Sequence, residues 1–484
     1  MEFALRVFLS AGREGSSAPL GLIAMQHRAS SAVFCPHSPL LQSGMKQMPG
    51  ILLAIAYTAL FTYLMQRSPF FARVPGLGMR AIASLFLLKI AAGTALWAIY
   101  TYVYPDRSTA DIFKYFDDSR VLYDSMWTSP WDFLRMLIGV GNDTPHFTEH
   151  YYLAMNNWVR RFETNVYNDS HTLIRFNAVL RLFSFGYYHV HTVFACFLST
   201  AGLVALFRAL RGLVPSMERG LALGVFIWPS VLLWSSGPLK ESLLMLGLGF
   251  FLMGALSPWR ELRRWRGPAA IGIGFALMLV VKPYVLLCLL PGLIAWWWCR
   301  RSPSRTTLRF TLVHALIIGG ALIAGRFSPA LDPLLTLAMK QSDFIGMVRE
   351  VGSGSMIDVP HLQPELLSFV QQVPSALRMA FISPFEVALR NPLTALSGVE
   401  NVMVLGLPLL ALAFRKRWAH MDAASLLFAL SFILLLALLI GWTVPVVGAL
   451  VRYRVPLLPF IAFASLLVLD PQRLPSRWRK FFQP

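Results

Sequence analysis

Residues Ala81–Ser125 read AIASLFLLKIAAGTALWAIYTYVYPDRSTADIFKYFDDSRVLYDS. The apolar run Ala81–Val103 is long enough to cross a bilayer. It gives way at once to the densest acidic cluster in the chain. Ser108 has Asp111 three residues on, the spacing of a capping box, so a helix is predicted from there. On that helix Asp111, Tyr115 and Asp118 fall at i, i+4 and i+7 and share one face, while Asp117 points elsewhere. Two carboxylates and a phenol thus stand together at the mouth of a membrane helix.

Composition extends this reading to the whole chain. Of 484 residues, 56% are hydrophobic and 14% charged, against roughly 25% charged in average soluble domains. Mean hydropathy is +0.57. The 43 Lys and Arg against 24 Asp and Glu leave a net charge of +19. That excess is no nucleic-acid footprint, because much of it lies in short runs between apolar segments, as the positive-inside rule requires. Cys35, Cys196, Cys288 and Cys299 are scattered and form neither a metal spacing nor a disulfide framework.

Residues 1–44 differ in character and read as a disordered extension or an over-long start, with Met45 the alternative first residue. Residues 45–470 form the membrane domain, and 471–484 a basic cytoplasmic tail. The apolar runs are Ile51–Met65, Ala81–Val103, Tyr188–Phe207, Leu221–Trp234, Leu239–Leu256, Ala269–Val281, Val285–Trp298, Phe310–Ala324, Val402–Phe414, Ala423–Gly441 and Val455–Leu469. An all-α polytopic bundle of about eleven transmembrane helices is expected, several of them short. Arginine-rich connections alternate: Arg67, Arg73 and Arg80; Arg208, Arg211 and Arg219; Arg260, Arg263, Arg264 and Arg266; Arg300, Arg301, Arg305 and Arg309; and Arg415, Lys416 and Arg417. They mark the cytoplasmic side. The long loops 104–187 and 326–397 then lie outside, in the periplasm of a Gram-negative cell. Both carry amphipathic helices: one opens at Ser129-Pro130, the other spans Pro364–Phe381, and Tyr151, Tyr152 and Trp158 suit an interfacial belt.

On that same side the remaining charges are few. Lys240-Glu241 opens a helix after WSSGP, Lys282 stands in VKPY beside Tyr284, and Arg452 and Arg454 stand in VRYR before the last run. Ionisable groups at membrane level are costly and point to function. Cations there suit a lipid phosphate or pyrophosphate, and a nearby carboxylate suits proton removal from an attacking hydroxyl. Each also has a plainer reading, as helix-start pairs or interfacial anchors. Lys89, inside the second run, snorkels or pairs. His146-Phe-Thr-Glu-His150, with Asp143 nearby, has helical metal-ligand spacing but no clear third ligand, so neither a metal nor any other cofactor is expected. Glu400-Asn401, at the entry to a span, suits substrate binding or, more plainly, is the acid at a helix start.

In this order the segments resemble the GT-C class of integral-membrane glycosyltransferases, most closely bacterial relatives of dolichyl-phosphate-mannose–protein mannosyltransferases and of the aminoarabinose transferase. The resemblance rests on STADIFKYFDDS, on Pro229–Ser242 (PSVLLWSSGPLKES), on Phe381–Asn401 (FISPFEVALRNPLTALSGVEN) and on RYRVPLLP from Arg452. It implies an inverting transfer from a polyprenyl-phosphate sugar to a glycan, lipid or protein acceptor at the outer face, often without metal. It implies Asp111 as the catalytic base. Where that class carries Asp-Glu, Asp111 is followed by Ile112, which leaves Asp117 and Asp118 as competitors. Glu241 is assigned as organiser, and Lys240, Lys282, Tyr284, Arg452 and Arg454 as phosphate contacts. Two alternatives stand beside this: an O-antigen polymerase or ligase with a pyrophosphate-linked donor, and a transporter or flippase.

Overall fold

The computed structural model describes residues 39–104, 107, 110–159, 168–256, 265–302, 304–351, 355–388 and 392–482. Residues 1–38 of the expected extension, Ser108, Arg260, Arg263 and Arg264, and Gly352, Ser353 and Gly354 of the second long loop lie outside them. Helix is the one kind of regular secondary structure among the described residues, which otherwise hold turns, loops and isolated β-bridges. Seven helices are long and apolar enough to span a membrane. An eighth span is counted if the pair Val447–Tyr453 and Leu458–Val468, bent by 59°, crosses as one. The chain is therefore a multi-pass membrane protein.

Three of the eleven expected spans fall short for visible reasons. The run Leu221–Trp234 breaks ahead of Pro229 into Glu218–Phe226 and Pro229–Trp234. A proline has no N–H to donate and disfavours helical geometry in the residue before it. Arg266–Val281 has 16 residues and Lys240–Leu256 has 17. At 1.5 Å per residue the latter is about 25 Å long, short of a hydrocarbon core of about 30 Å.

Lys240–Leu256 is the centre of the bundle. It packs between Tyr188–Arg211 and Arg266–Val281. Backbones meet where side chains are missing: a Cβ at Gly249 would lie 1.9 Å from Gly202 O, and one at Gly202 would lie 2.2 Å from Met245 O. Such close approach needs small residues, as membrane helix pairs generally do. The short central helix starts recessed among longer neighbours, so Lys240 and Glu241 are 9% and 0% exposed. The helix Thr306–Phe327 is the opposite case: only 11% of its apolar span is buried, which puts it at the bundle's edge.

Contacts sort the connections into two ends. Arg208 Nη2 donates to Phe70 O and Arg73 O, each at 2.8 Å. Arg211 pairs with Glu218 at 3.0 Å. Trp297 Nε1 donates to Ala255 O at 3.2 Å, and Asp470 N to Phe414 O at 2.8 Å. The described arginine-rich turns therefore gather at one end. At the other, Tyr57 Oη donates to Phe183 O at 3.1 Å and Ile357 N to Pro445 O at 2.9 Å, which brings both long segments there.

Local structure in those segments differs from expectation in three places. The acidic helix is Asp111–Thr128, with Ala110 at its N-cap and Asp111 in its first turn, so the capping-box register does not apply. Tyr152 and Trp158 are buried, with rings stacked 4.5 Å apart, and Trp158 stacks on His171 at 4.0 Å. These two rings build the core of the segment instead of an interfacial belt. The expected Pro364–Phe381 helix is two helices, Leu366–Gln371 and Val373–Phe381.

The acidic helix is fixed to the bundle by polar ties. Arg181, in Ser170–Ser184, donates to Ser119 Oγ at 2.8 Å and Phe116 O at 2.6 Å. His191, in the adjoining span, lies 2.7 Å from both Ser184 Oγ and Asn177 Oδ1. Buried polar groups of this kind require partners, and here they have them.

Candidate functional site

Six of the nine residues assigned to the site from the sequence meet in one cluster at the end that holds both long segments. Arg452 is the hub. Its Nη1 donates to Asp111 Oδ2, and its Nε lies 2.9 Å from Glu241 Oε2. The other oxygen of Glu241 takes the Lys282 ammonium at 2.8 Å. Lys240 Nζ lies 2.8 Å from Asp169 Oδ1, and Lys114 Nζ lies 3.4 Å from Asp111 Oδ1. Glu241 is fully buried, whereas the Asp111 side chain keeps 36% of its exposure. The cluster thus has a dry floor at Glu241 and an accessible side at Asp111.

Each element explains its residue. Asp111 is in the first turn of its helix, where a negative charge is favoured by the helix dipole. Glu241 is in the first turn of the central helix for the same reason. Lys282 stands at the junction between Arg266–Val281 and Pro283–Arg301 and supplies the N-cap of the second, with Pro283 next. Arg452 closes the short helix Val447–Tyr453.

Aromatic rings wall the cluster. Tyr284 and Tyr453 stack at 5.9 Å with planes 14° apart. Lys282 Nζ sits 4.1 Å from the Tyr453 ring centre, Lys240 Nζ 5.1 Å from that of Tyr115, and the Arg452 guanidinium 5.9 Å from that of Trp234. Cations held over ring faces in a desolvated site gain additional electrostatic attraction. Tyr284 therefore joins the cluster, with its hydroxyl buried.

Charge balance sets the state of Asp111. Burial pushes its carboxyl up, but Arg452, Lys114 and Lys240 more than offset this and hold it well below the usual carboxylate range. While Arg452 holds it, Asp111 is ionised and a weak base.

The other assigned residues lie apart and do other work. Arg454 is fully buried: its Nη1 donates to Ala380 O at 3.0 Å and Asn401 Oδ1 at 2.8 Å, and its Nη2 lies 3.5 Å from Glu400 Oε1. Glu400 accepts from Ser230 N at 2.6 Å and Ser230 Oγ at 2.8 Å. It sits inside the helix Pro392–Ala413, not at the start of a span. This network ties three helices and leaves Arg454 out of reach as a phosphate contact. Asp118 accepts from the backbone N–H groups of Asn156 and Asn157, both at 2.9 Å. Burial pushes its carboxyl up against the lowering effect of those donors. Asp117 forms a two-pronged surface pair with Arg107, 2.7 Å on each side. Of the three aspartates assigned from the sequence, Asp111 is the one that lies in the Arg452 cluster.

Lys89, left without a role by its sequence position, anchors the site from below. Its buried ammonium donates to Ser235 O at 3.0 Å and Ser235 Oγ at 2.6 Å. Cys196 Sγ donates to Ser236 O at 3.3 Å, and a Cβ at Gly93 would come 2.0 Å from that same oxygen. The turn that delivers Lys240-Glu241 is therefore gripped from two spans. Of the histidines with metal-ligand spacing, His146 Nε2 lies 2.9 Å from Asp132 Oδ2, and His150 Nδ1 lies 2.9 Å from His146 O. No metal-holding group of three ligands occurs among the described residues.

Sequence reasoning missed Asp169, Trp234 and Tyr453 as members of the cluster. Tyr453 lay between two quoted arginines and Trp234 within a quoted motif, so proximity in sequence was a usable signal. Asp169 had only its place before the amphipathic helix Ser170–Ser184.

The fold and site together define a polytopic, all-helical membrane protein with a desolvated cluster of acids and cations at one end of its bundle. No protein-family model matches the chain, and no curated protein or solved structure matches it.

Proposed function

We propose that the chain is a GT-C-like glycosyltransferase of a bacterial inner membrane. It moves a sugar from a polyprenyl-phosphate carrier to an acceptor on the periplasmic side, with inversion. On this reading the three short or broken apolar segments complete a bundle of about eleven membrane passages, and the arginine-rich end is cytoplasmic. One observation carries the reading: Arg452 joins Asp111 to Glu241 beside Lys282 and Lys240, so an acid and several cations from distant parts of the chain share one place. Paired ions also occur in purely structural networks, and Arg454–Glu400 is one. The partly exposed Asp111 distinguishes the site, because a buried clamp has no use for an accessible carboxylate.

The chemistry follows from charge exchange. The donor phosphate takes Arg452 and Lys282, which are well suited to oxyanions. Asp111 loses its strongest cation, and its basicity rises. It then removes the proton of the acceptor hydroxyl as that oxygen attacks the anomeric carbon. The bond from that carbon to the phosphate oxygen breaks, and its electron pair stays on the leaving phosphate, stabilised by the cations. No general acid is needed for a leaving group already this weakly basic. The stacked Tyr284–Tyr453 pair and the Trp234 ring supply faces against which a sugar can lie. No metal enters this scheme.

The test is donor choice. Proteoliposomes of the purified chain, with acceptor supplied as a membrane extract, are expected to transfer labelled sugar from polyprenyl monophosphate and to be at least tenfold slower with polyprenyl pyrophosphate. Transfer from the pyrophosphate alone would favour the polymerase or ligase reading. Movement of donor lipid across the bilayer with no transfer would favour a flippase.

A further inference from the structure

We propose that the groove between the first two spans binds an anionic glycerophospholipid of the leaflet at the arginine-rich end. The site is separate from the ion cluster and independent of the reaction assigned there. Met48–Arg67 and Met79–Tyr102 each pack mainly on Tyr188–Arg211 and little on one another. Only 17% and 28% of their apolar lengths are buried. Between them lies an open groove of about 590 Å³. Ile55, Ala59, Tyr63 and Gln66 line one side, and Leu87 and Ile90 the other.

The wall suits hydrocarbon. Thr58 and Thr62 also border the groove, but their hydroxyls donate to Ala54 O and Thr58 O of their own helix, each at 2.8 Å. With those donors spent, an apolar chain can cover the wall without stranding a polar group. Length selects the kind of chain. From Ile55 to Gln66 the groove runs about 16 Å, at 1.5 Å per residue. That is about one leaflet of a hydrocarbon core about 30 Å thick. An acyl chain of a leaflet lipid fits this depth, and a much longer polyprenyl tail overruns it.

Charge selects the headgroup. Arg67 stands four residues beyond Tyr63, on the same helix face, with its guanidinium 5.3 Å from the Tyr63 ring centre. On the second span Arg80 and Leu87 stand at i and i+7 and share a face. Each wall of the groove thus ends in an arginine at the arginine-rich end. Both arginines are exposed, and neither has an acidic partner among the described residues. Nearby Arg208 and Arg211 are spent on backbone carbonyls and on Glu218. Two uncommitted guanidiniums at the mouth of an apolar groove complement a lipid phosphate of net negative charge.

The experiment titrates the purified full-length chain in detergent with dioleoyl phosphatidylglycerol or dioleoyl phosphatidylcholine and counts bound lipid by native mass spectrometry. Each basic residue at an anionic surface is worth about fivefold in affinity. The unsubstituted chain is therefore expected to hold one phosphatidylglycerol at least about fivefold more tightly than phosphatidylcholine. Arg67→Gln combined with Arg80→Gln is expected to abolish that preference. Ala59→Phe, at an exposed position of the wall, is expected to weaken phosphatidylglycerol binding by at least about fivefold with the melting temperature unchanged. Arg417→Gln, an exposed charge at the same end but outside the groove, is expected to change neither. Equal binding of the two lipids overturns the site, and so does a preference that survives either the paired arginine change or Ala59→Phe. A dimer that Ala59→Phe dissociates would assign the groove to a second copy of the chain and overturn it as well.

Discussion

Asp111→Asn is expected to lower sugar transfer by about a thousandfold while expression and thermal stability stay near those of the unsubstituted chain. The change keeps the shape of the side chain and an oxygen that still accepts from Arg452, so the local packing survives. It removes the most exposed carboxylate among those described in the cluster and with it the acceptor for the hydroxyl proton, and positioned general bases contribute about 10²–10⁴-fold. Arg452 keeps Glu241 as a partner in the variant, so no buried charge is abandoned. Initial rates of labelled-sugar transfer, beside melting temperatures in detergent, measure both halves. Asp117→Asn serves as control: it breaks only an exposed pair with Arg107, and such pairs are worth at most about 1 kcal/mol. Near-normal transfer by Asp111→Asn removes this residue from the chemistry.

Arg454→Met is expected to act on stability instead. Arg454 and Glu400 are both fully buried, and removing one partner leaves the other charge uncompensated. Breaking such pairs costs about 3–5 kcal/mol, although replacing both partners with neutral groups of similar size is often tolerated. The single variant should therefore give poor yield and a sharply lowered melting temperature. Combining it with Glu400→Gln should restore much of the loss, since the amide can still meet the Ser230 hydroxyl. A single variant that melts normally but binds farnesyl phosphate poorly would return Arg454 to the phosphate site and contradict its role as a clamp.

The contrast between Arg452 and Arg454 shows how far the sequence could be read. Both stand in VRYR, before a helix break, and both look like membrane-level cations with a function. Which one faces the cluster depends on the turn that ends Val447–Tyr453, and side-chain type carries no information about that. Seven of the expected spans stand out from hydropathy alone, because apolar length is itself the physical requirement. The short helix Lys240–Leu256 has the composition of a span but not the length, and its central place comes from glycine contacts that a single chain does not advertise. Lys282 and Glu241 were legible as rare charges in apolar surroundings. Asp169 and Lys89 were not, because their meaning comes from partners far away in the chain.

The most direct measurement is a structure of the chain with polyprenyl phosphate bound, determined in lipid nanodiscs. The account predicts phosphate oxygens within hydrogen-bonding distance of Arg452 and Lys282, with the Asp111 carboxylate released from Arg452 and free to meet the acceptor hydroxyl. Phosphate bound elsewhere, with the Asp111–Arg452–Glu241 chain of ion pairs left closed, would contradict it.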